Sequence, residues 1–485
     1  MPSLFTKFKS KFKYAFQAIG LASSVFVLAS CAGVQGSHSA KLGFQTPPIV
    51  FVHGNGDSAA LWQTTLWRFE AQGWPAARLH AIDVPYPLAR DEDAKPQAGR
   101  TSAAEHAAYL KTEVEKVLKA TGASQVVLFA NSRGGNAVRN YIQNMGGAAT
   151  VSHAILGGTP NHGVWAIAGF REGNEFSGTG PFLKQLNTAK NAAGEEVAGP
   201  VKWMTIRSDN NDKFAQPDGL WIGAKGTPTN VTFAGPELKG AKNVVIAGID
   251  HRETSFSPAA FAAAFAFITG QAPKTLAPIQ PKTVALSGQI TGMGVNSLDA
   301  KSGNFANNSP IPGALLQLFE VDPATGVRKG SASLTQTVGA LGMWGPLQAS
   351  PTAYYEFVVT APGYATTHFY LSPFAGASSL VHLRPERIAD ADKDAGHLVF
   401  FTRPRGYFDL ARDALLFDGK PPSGLPPTGA GLASSKLKLA AGAPRSVLGE
   451  MKLANPPRLG FAAERIAGQT WPAADGHVSV VELTQ

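Results

Sequence analysis

A serine, two aspartates and a histidine in the first half of the chain have the types and the order that suit nucleophilic catalysis: Ser132, then Asp209 or Asp212, then His251. A serine hydroxyl becomes a good nucleophile when a neighbouring imidazole accepts its proton. A carboxylate in turn holds that imidazole in the correct tautomer and orientation. These residues therefore define a candidate catalytic site, with Ser132 as the nucleophile and His251 as the general base.

The serine follows an apolar run, residues 126–130, and small residues flank it at Ala130, Gly134 and Gly135. The apolar run with its adjacent valines suits a parallel strand that is covered on both faces. A serine in a sharp strand-to-helix turn needs small neighbours, because larger ones would collide with the next strand or helix. The pattern predicts a nucleophile elbow, in which a helix N-terminus at Ser132 favours a developing negative charge. The alternative is an ordinary strand-to-helix turn.

The acid and the base are both predicted to lie on loops that follow strands. A strand over 201–206 leads to the two aspartates, and a strand over 243–248 leads to His251. A helix is predicted from Ser257, because the proline after it is favoured in a first helical turn. An isolated histidine is usually structural, so the role of His251 depends on the fold around it.

A glycine-containing loop after the first predicted strand, 49–52, reads His53-Gly54-Asn55-Gly56. In acyl-transfer enzymes such a loop supplies one hydrogen-bond donor to the oxyanion. We nominate the N–H of Asn55 for this role, with the N–H of Arg133 as the second donor. His53 is expected to brace the loop rather than to take part in chemistry.

Strands alternate with helices through the first half of the chain. Further strands are predicted over 77–84 and 151–156, and a helix over 103–120 carries apolar residues on one face. Ser58 is expected to cap the helix that follows the first loop. Such alternation predicts a parallel sheet with right-handed crossovers.

Four motifs in residues 46–270 together resemble those of α/β-hydrolases of the bacterial lipase and esterase type. They are His53-Gly54-Asn55-Gly56, Ala130-Asn131-Ser132-Arg133-Gly134-Gly135, Gly158-Thr159-Pro160-Asn161-His162-Gly163 and Gly248-Ile249-Asp250-His251. The order serine, acid, histidine is also that of this fold. The resemblance implies an α/β-hydrolase fold and a carboxylic ester hydrolase that works through an acyl-enzyme, with no cofactor and no metal. It favours Asp212 over Asp209 as the acid, because Phe214 resembles the way this loop folds back in related enzymes.

The substrate stays open between small esters, lipids and polyesters, and the same three residues could also cleave amides. Asn131 and Arg133 stand where such lipases commonly have histidine and an apolar residue. A charged Arg133 beside the nucleophile argues against a preference for long-chain triglycerides. Residues 164–200 form either a cap over the site or a surface excursion.

Residues 1–30 have the pattern of an export signal, with four lysines followed by an apolar stretch that is short for a membrane span. The stretch ends in Leu28-Ala29-Ser30-Cys31, which resembles the lipobox of bacterial lipoproteins. The resemblance implies acylation of Cys31, anchoring to a membrane and, with Ala32 next, the outer membrane of the cell envelope. Residues 31–45 would then be a tether. The alternative is an ordinary signal peptide and a secreted protein.

Length and composition limit the remaining possibilities. The 485 residues predict two or three domains, and a single cysteine excludes an internal disulfide framework. The formal net charge is +9 and falls to +5 without the four lysines of the first segment. Without a basic stripe interleaved with aromatic residues, this charge does not indicate a nucleic-acid partner.

The second half of the chain reads as β structure. Residues 271–282 form a proline-spaced linker. Residues 283–384 resemble carboxypeptidase-regulatory-like or transthyretin-like β-sandwiches, and residues 385–485 add a further β-rich region. The second half either has a structural role or binds substrate or a surface. In the latter case the protein could be a non-catalytic surface lipoprotein that binds through its β structure.

Overall fold

The computed structural model describes residues 46–295, 304–427, 431–452 and 463–485, except 216, 220, 221 and 223–225. All of these belong to one compact unit that spans Lys41–Gln485. The predicted signal peptide, Cys31 and the tether lie outside the described residues. Among the residues that are described, no helix is both long enough and apolar enough to cross a membrane.

A six-stranded parallel sheet forms the centre of the first half. Its strands are β1 Ile49–Val52, β2 Leu79–Ile82, β3 Val126–Asn131, β4 Val151–Gly157, β5 Lys202–Ser208 and β6 Lys242–Ile246. The helices are α1 Gln63–Ala71, α2 Ala103–Thr121, α3 Arg133–Asn144, α4 Pro181–Leu186, α5 Glu253–Phe256 and α6 Pro258–Thr269. The strand order is β2-β1-β3-β4-β5-β6, and all neighbours are parallel. The α/β fold predicted from the alternation is therefore present.

Both faces of the sheet are covered, as the continuous apolar strands predict. Alternate residues of β1 face opposite sides: Val50 and Val52 pack with side chains of α2 and α3. Ile49 and Phe51 pack with side chains of α1 and α6 on the other side. Burying each such side chain contributes about 1.5–3 kcal/mol, so the two apolar layers stabilise the sheet from which the loops of the site extend.

The predicted cap at Ser58 is wrong. Its side chain makes no capping hydrogen bond, and a short 3-10 turn, Ala59–Trp62, precedes α1. The first N–H of this turn, from Ala59, instead donates to the Asp83 carboxylate at 2.7 Å. Because a charged acceptor from the end of β2 already fills this position, the serine hydroxyl is not needed there.

The second half consists mainly of strands. They are β7 Val284–Gln289, β8 Thr291–Val295, β9 Asn304–Pro310, β10 Leu315–Val321, β11 Leu334–Thr337, β12 Met343–Ala349, β13 Tyr354–Thr360, β14 Thr366–Leu371, β15 His397–Thr402, β16 Ala414–Phe417, β17 Ser434–Leu439, β18 Ser446–Lys452, β19 Glu464–Gln469 and β20 His477–Glu482. Seven of them form one sheet in the order β11-β10-β13-β14-β20-β15-β17. This sheet takes strands from both sides of residue 384, so the boundary predicted there runs through a sheet.

Polar contacts join the two halves. Gln72, the residue after α1, donates to the carbonyl of Thr275 at 2.8 Å, so the segment predicted as a linker contacts the end of this helix. The Trp67 indole N–H donates to the carbonyl of Ala377 at 2.7 Å. His382 bonds the Asp83 carboxylate at 2.8 Å. The β-rich half is therefore docked directly on the helices and loops of the first half.

Candidate active site

Ser132 lies in the turn between β3 and α3 with φ +52° and ψ −125°. A side chain other than glycine is rarely found there, and such strain is concentrated at functional sites. The close packing explains the small neighbours: a Cβ on Gly134 would lie 2.6 Å from the carbonyl oxygen of Val52. A Cβ on Gly54 would lie 2.9 Å from the Cβ of Ser132. The structure therefore has the strained strand-to-helix turn that the small flanking residues predict.

His251 is paired with Asp212. Its Nδ1 lies 2.9 Å from each carboxylate oxygen, and both side chains are buried. The carboxylate also accepts the N–H of Phe214 at 2.9 Å, and the Phe214 ring lies 4.5 Å, centroid to centroid, from the imidazole. Because a carboxylate at Nδ1 requires a proton there, the neutral ring has Nε2 as its acceptor.

The alternative acid, Asp209, has different partners. Its carboxylate accepts the N–H of Gly248 at 2.9 Å and the N–H of Asn210 at 2.7 Å. It also accepts the Ser208 hydroxyl. Asp209 thus fixes the β5 loop to the end of β6, while Asp212 is the aspartate that contacts the histidine.

Ser132 and His251 line the same cavity, which has a volume of about 180 Å³. Asn55 lines it too, and the side-chain oxygen of Asn55 accepts the N–H of Ala89 at 2.7 Å, which fixes the loop. Arg133 is the first residue of α3, so its N–H is one of the donors that a helix leaves without an intrahelical partner. Ser132, His251 and Asn55 therefore line one cavity, and Arg133 follows Ser132 directly in the chain.

His53 and Asn131 brace this space. The ring of His53 is buried and accepts the N–H of Val84 at 3.1 Å, as its predicted structural role requires. The Asn131 amide donates to the carbonyl of His251 at 3.1 Å and to the Thr254 hydroxyl at 3.2 Å. The residue before the nucleophile thus holds the histidine loop against the elbow.

Four aromatic side chains complete the cavity wall: Trp165, Phe176, Phe214 and Tyr407. Trp165 and Phe176 belong to the segment 164–200, so part of this segment lines the cavity. Tyr407 comes from the second half of the chain, far from the motifs. No periodicity or motif in the sequence indicates that Tyr407 or Arg252, which also lines the cavity, belongs here.

The side chain of Arg133 does not line the cavity, so its charge gives no argument against long-chain substrates. The guanidinium is fully buried and bonds both carboxylate oxygens of Glu175 at 2.8 Å. It also donates to Thr101 and to the carbonyl of Pro87. Burial raises the pKa of Glu175, although the arginine opposes this rise. The pair instead ties residues 164–200 to the elbow helix.

Removing one partner of this pair is expected to destabilise the fold strongly. Glu175→Leu leaves the Arg133 charge buried and unpaired, which costs about 3–5 kcal/mol. The double variant Arg133→Met with Glu175→Leu should recover much of that loss, because a buried ion pair and an apolar pair of similar volume are nearly equivalent. Urea unfolding measures the free energy of unfolding of the single and the double variant. Glu115→Gln on the exposed face of α2 is a control that should change this free energy little. Equal losses in the single and the double variant would contradict this account.

Among the described residues, no group of three or more His, Cys, Asp or Glu side chains could hold a metal ion. The groups that the structure brings to the cavity are the Ser132 hydroxyl and the His251 imidazole with the Asp212 carboxylate. This set fits acyl transfer.

Two families of known proteins match the chain. Residues 46–179 match the family described as lipase (class 2), and residues 282–388 match the family described as lipase C-terminal domain. The second match covers residues 283–384, for which the resemblance to a carboxypeptidase-regulatory-like β-sandwich stays a prediction. These matches also speak against the alternative of a non-catalytic binding protein.

Several solved structures are similar over part of the chain. The lipase BlEst2 of Bacillus licheniformis in its mature form is 20% identical over 46% of this chain and 89% of that chain, with a TM-score of 0.31. The propeptide form of the same lipase is 15% identical over 87% of this chain and 93% of that chain, with a TM-score of 0.35. Lipase B of Aspergillus fumigatus is 14% identical over 50% of this chain, with a TM-score of 0.35. This chain spans 56% of the length of that fungal lipase.

The parallel sheet with its helices and the family matches in both halves lead to one conclusion. The chain is a carboxylic ester hydrolase of the lipase type, built on an α/β-hydrolase fold and followed by a β-rich C-terminal region.

Proposed function

We propose that this hydrolase cleaves carboxylic esters through Ser132, His251 and Asp212 and a covalent acyl-enzyme. The observation that carries the proposal is the buried Asp212–His251 pair in the same cavity as a serine held in a strained turn. The Ser132 hydroxyl attacks the ester carbonyl carbon, and Nε2 of His251 takes its proton. Asp212 stabilises the imidazolium that forms, without accepting its proton.

The tetrahedral intermediate places a negative charge on the former carbonyl oxygen. The N–H groups of Asn55 and Arg133 are proposed to donate to it, at the N-terminus of α3 where the helix dipole also favours negative charge. As the intermediate collapses, His251 gives its proton to the departing alcohol oxygen. Water then attacks the acyl-enzyme with the same histidine as base, and the acid is released.

Hydrolysis of a short p-nitrophenyl ester by the purified full-length protein tests this proposal. We expect saturable release of p-nitrophenol that Ser132→Ala removes. Ser124→Ala is the matched control, because this serine is exposed on the loop before β3. Wild-type protein that hydrolyses the ester no faster than Ser132→Ala would overturn the proposal.

We also propose that acylated Cys31 anchors the enzyme to a membrane of the bacterial cell envelope, the outer membrane in particular. The support is the sequence Leu28-Ala29-Ser30-Cys31 at the end of an apolar stretch, in which the chain's single cysteine lies. Several acyl chains anchor a protein stably, whereas one chain binds reversibly.

Cys31→Ser is expected to abolish lipid attachment while kcat on a soluble ester stays unchanged, since the candidate site begins beyond residue 46. The measurement is incorporation of labelled palmitate into the wild-type and the variant, followed by separation of membrane and soluble fractions. Wild-type protein that takes up no label and is recovered as a soluble secreted species would refute the anchor.

A further inference from the structure

A segment of the second half, residues 403–412, packs against the loop that carries His251. Arg403 is fully buried, with Nη1 3.1 Å from the Asp250 carboxylate and Nη2 2.6 Å from that of Glu253. The N–H of Tyr407 donates to the same Asp250 carboxylate at 2.9 Å. Asp250, which precedes His251, and Glu253, the first residue of α5, are therefore both hydrogen-bonded by residues of the second half.

The same segment also reaches the loop that carries Asp212. The Asn211 amide donates to the Asp409 carboxylate at 3.0 Å. Arg412 donates to the carbonyl of Gly248 at 2.9 Å and to Glu253 at 3.0 Å. Residues 403–412 thus connect the two loops on which the acid and the base lie. The same contacts hold residues 403–412 in place beside the cavity.

The ring of Tyr407 is held on several sides. The Arg252 guanidinium lies over it, 4.8 Å from its centroid, and Arg252 also donates to the carbonyl of Pro404 at 3.0 Å. A third contact of Arg252 is its ion pair with Asp57 at 3.0 Å. The ring centroid of Phe214, which lies against His251, is 5.9 Å from that of Tyr407. Tyr407 is buried, with 8% of its surface exposed, and forms part of the cavity wall.

Phe214 and Tyr407 form the part of the cavity wall next to His251. The departing oxygen has to come within hydrogen-bond reach of Nε2 of His251 to receive its proton. Phe214 lies against the imidazole and Tyr407 lies against Phe214, so a leaving group bonded to Nε2 would lie next to these two rings. The whole cavity, at about 180 Å³, is smaller than the 300–1,000 Å³ or so that drug-sized ligands occupy.

We propose that Tyr407 determines specificity for the alcohol part of the ester, and that it restricts this part to short or flat groups. The inference rests on the proposed function, because it assigns the leaving group to the His251 side. Arg403 and Arg252 are positioning residues that hold the ring. The second half of the chain then contributes a specificity residue to the active site. Tyr407 lies after both ranges that match the families, residues 46–179 and 282–388.

The test varies the alcohol and keeps the acid constant. The ratio of kcat/KM for hexyl acetate to that for ethyl acetate is measured for wild-type, Tyr407→Ala and Tyr407→Phe. We expect the ratio to rise roughly tenfold or more in Tyr407→Ala, since room for a few methylene groups alters discrimination by such factors. Tyr407→Phe keeps the ring and should keep the ratio.

A matched control is Tyr364→Ala, which removes another tyrosine that lies under an arginine, Arg387, and does not line the cavity. Its ratio should equal that of the wild-type. If Tyr407→Ala fails to fold, Tyr407→Leu fills more of the space and gives the same comparison.

The outcomes separate the two proposals. An unchanged alcohol ratio in folded, active Tyr407→Ala or Tyr407→Leu overturns the specificity role alone. The specificity role is also overturned if the variants change only the ratio of kcat/KM for p-nitrophenyl hexanoate to that for p-nitrophenyl acetate. These two esters differ in the acid part and share the alcohol. Wild-type protein without Ser132-dependent hydrolysis of any of these esters overturns the proposed function itself.

Discussion

Replacing Ser132 by alanine is expected to lower kcat by about 10⁶-fold, as in serine hydrolases whose other catalytic groups are intact. Only the hydroxyl is removed, and alanine keeps the Cβ that the crowded turn already accommodates, so the fold should be retained. The measurement is the initial rate on p-nitrophenyl acetate, with circular dichroism to compare the fold. A variant with near wild-type turnover would show that another group is the nucleophile.

Asp212→Asn is expected to lower kcat by about 10⁴-fold. An asparagine amide can donate to Nδ1 of His251, which moves the ring proton to Nε2, and that nitrogen can then no longer accept the proton of Ser132. Rates on the same ester, measured for Asp212→Asn and for the wild-type, give the size of this effect.

Asp209→Asn is the matched control for that prediction. It lies in the same loop, yet its bonds go to the backbone of Asn210 and Gly248 and to a serine hydroxyl. Its effect on kcat should be small. If Asp209→Asn were the more damaging change, the role of acid would pass to Asp209.

The sequence was sufficient to predict the fold of the first half, because the relevant signals are local. Continuous apolar strands at β1 and β3 predict a sheet that is buried on both faces, and both faces are indeed covered. The small residues around Ser132 predict a crowded turn, and a Cβ on Gly134 or Gly54 would collide there. Local sterics and hydrophobic burial decide these features, so they can be read without knowledge of distant contacts.

The errors arose where a distant partner decides the outcome. Arg133 is charged and next to the nucleophile in sequence, but Glu175 neutralises it inside the protein. Ser58 suits a helix cap, but Asp83 from another strand accepts the first N–H. A pairing between residues so far apart leaves no trace in the spacing of either one.

Tyr407 shows the same limit for the active site. It reaches the cavity because Arg403 and Arg412 bond the acidic residues around His251. These charges occur in a stretch without periodicity or motif, so neither their burial nor their partners can be predicted from composition. The wall of the cavity depends on how the two halves of one compact unit pack together, and only the structure contains that information.

The central claim is that Ser132 is the nucleophile, and covalent labelling tests it most directly. Full-length protein is treated with a fluorophosphonate, digested with trypsin and analysed by tandem mass spectrometry. The peptide of residues 120–133 contains both Ser132 and the exposed Ser124, so fragmentation distinguishes the two within one molecule. We expect one label per chain, located on Ser132, with loss of esterase activity in proportion to labelling. Loss of activity with the label on Ser124 or on another peptide, or with Ser132 unmodified, would contradict the mechanism.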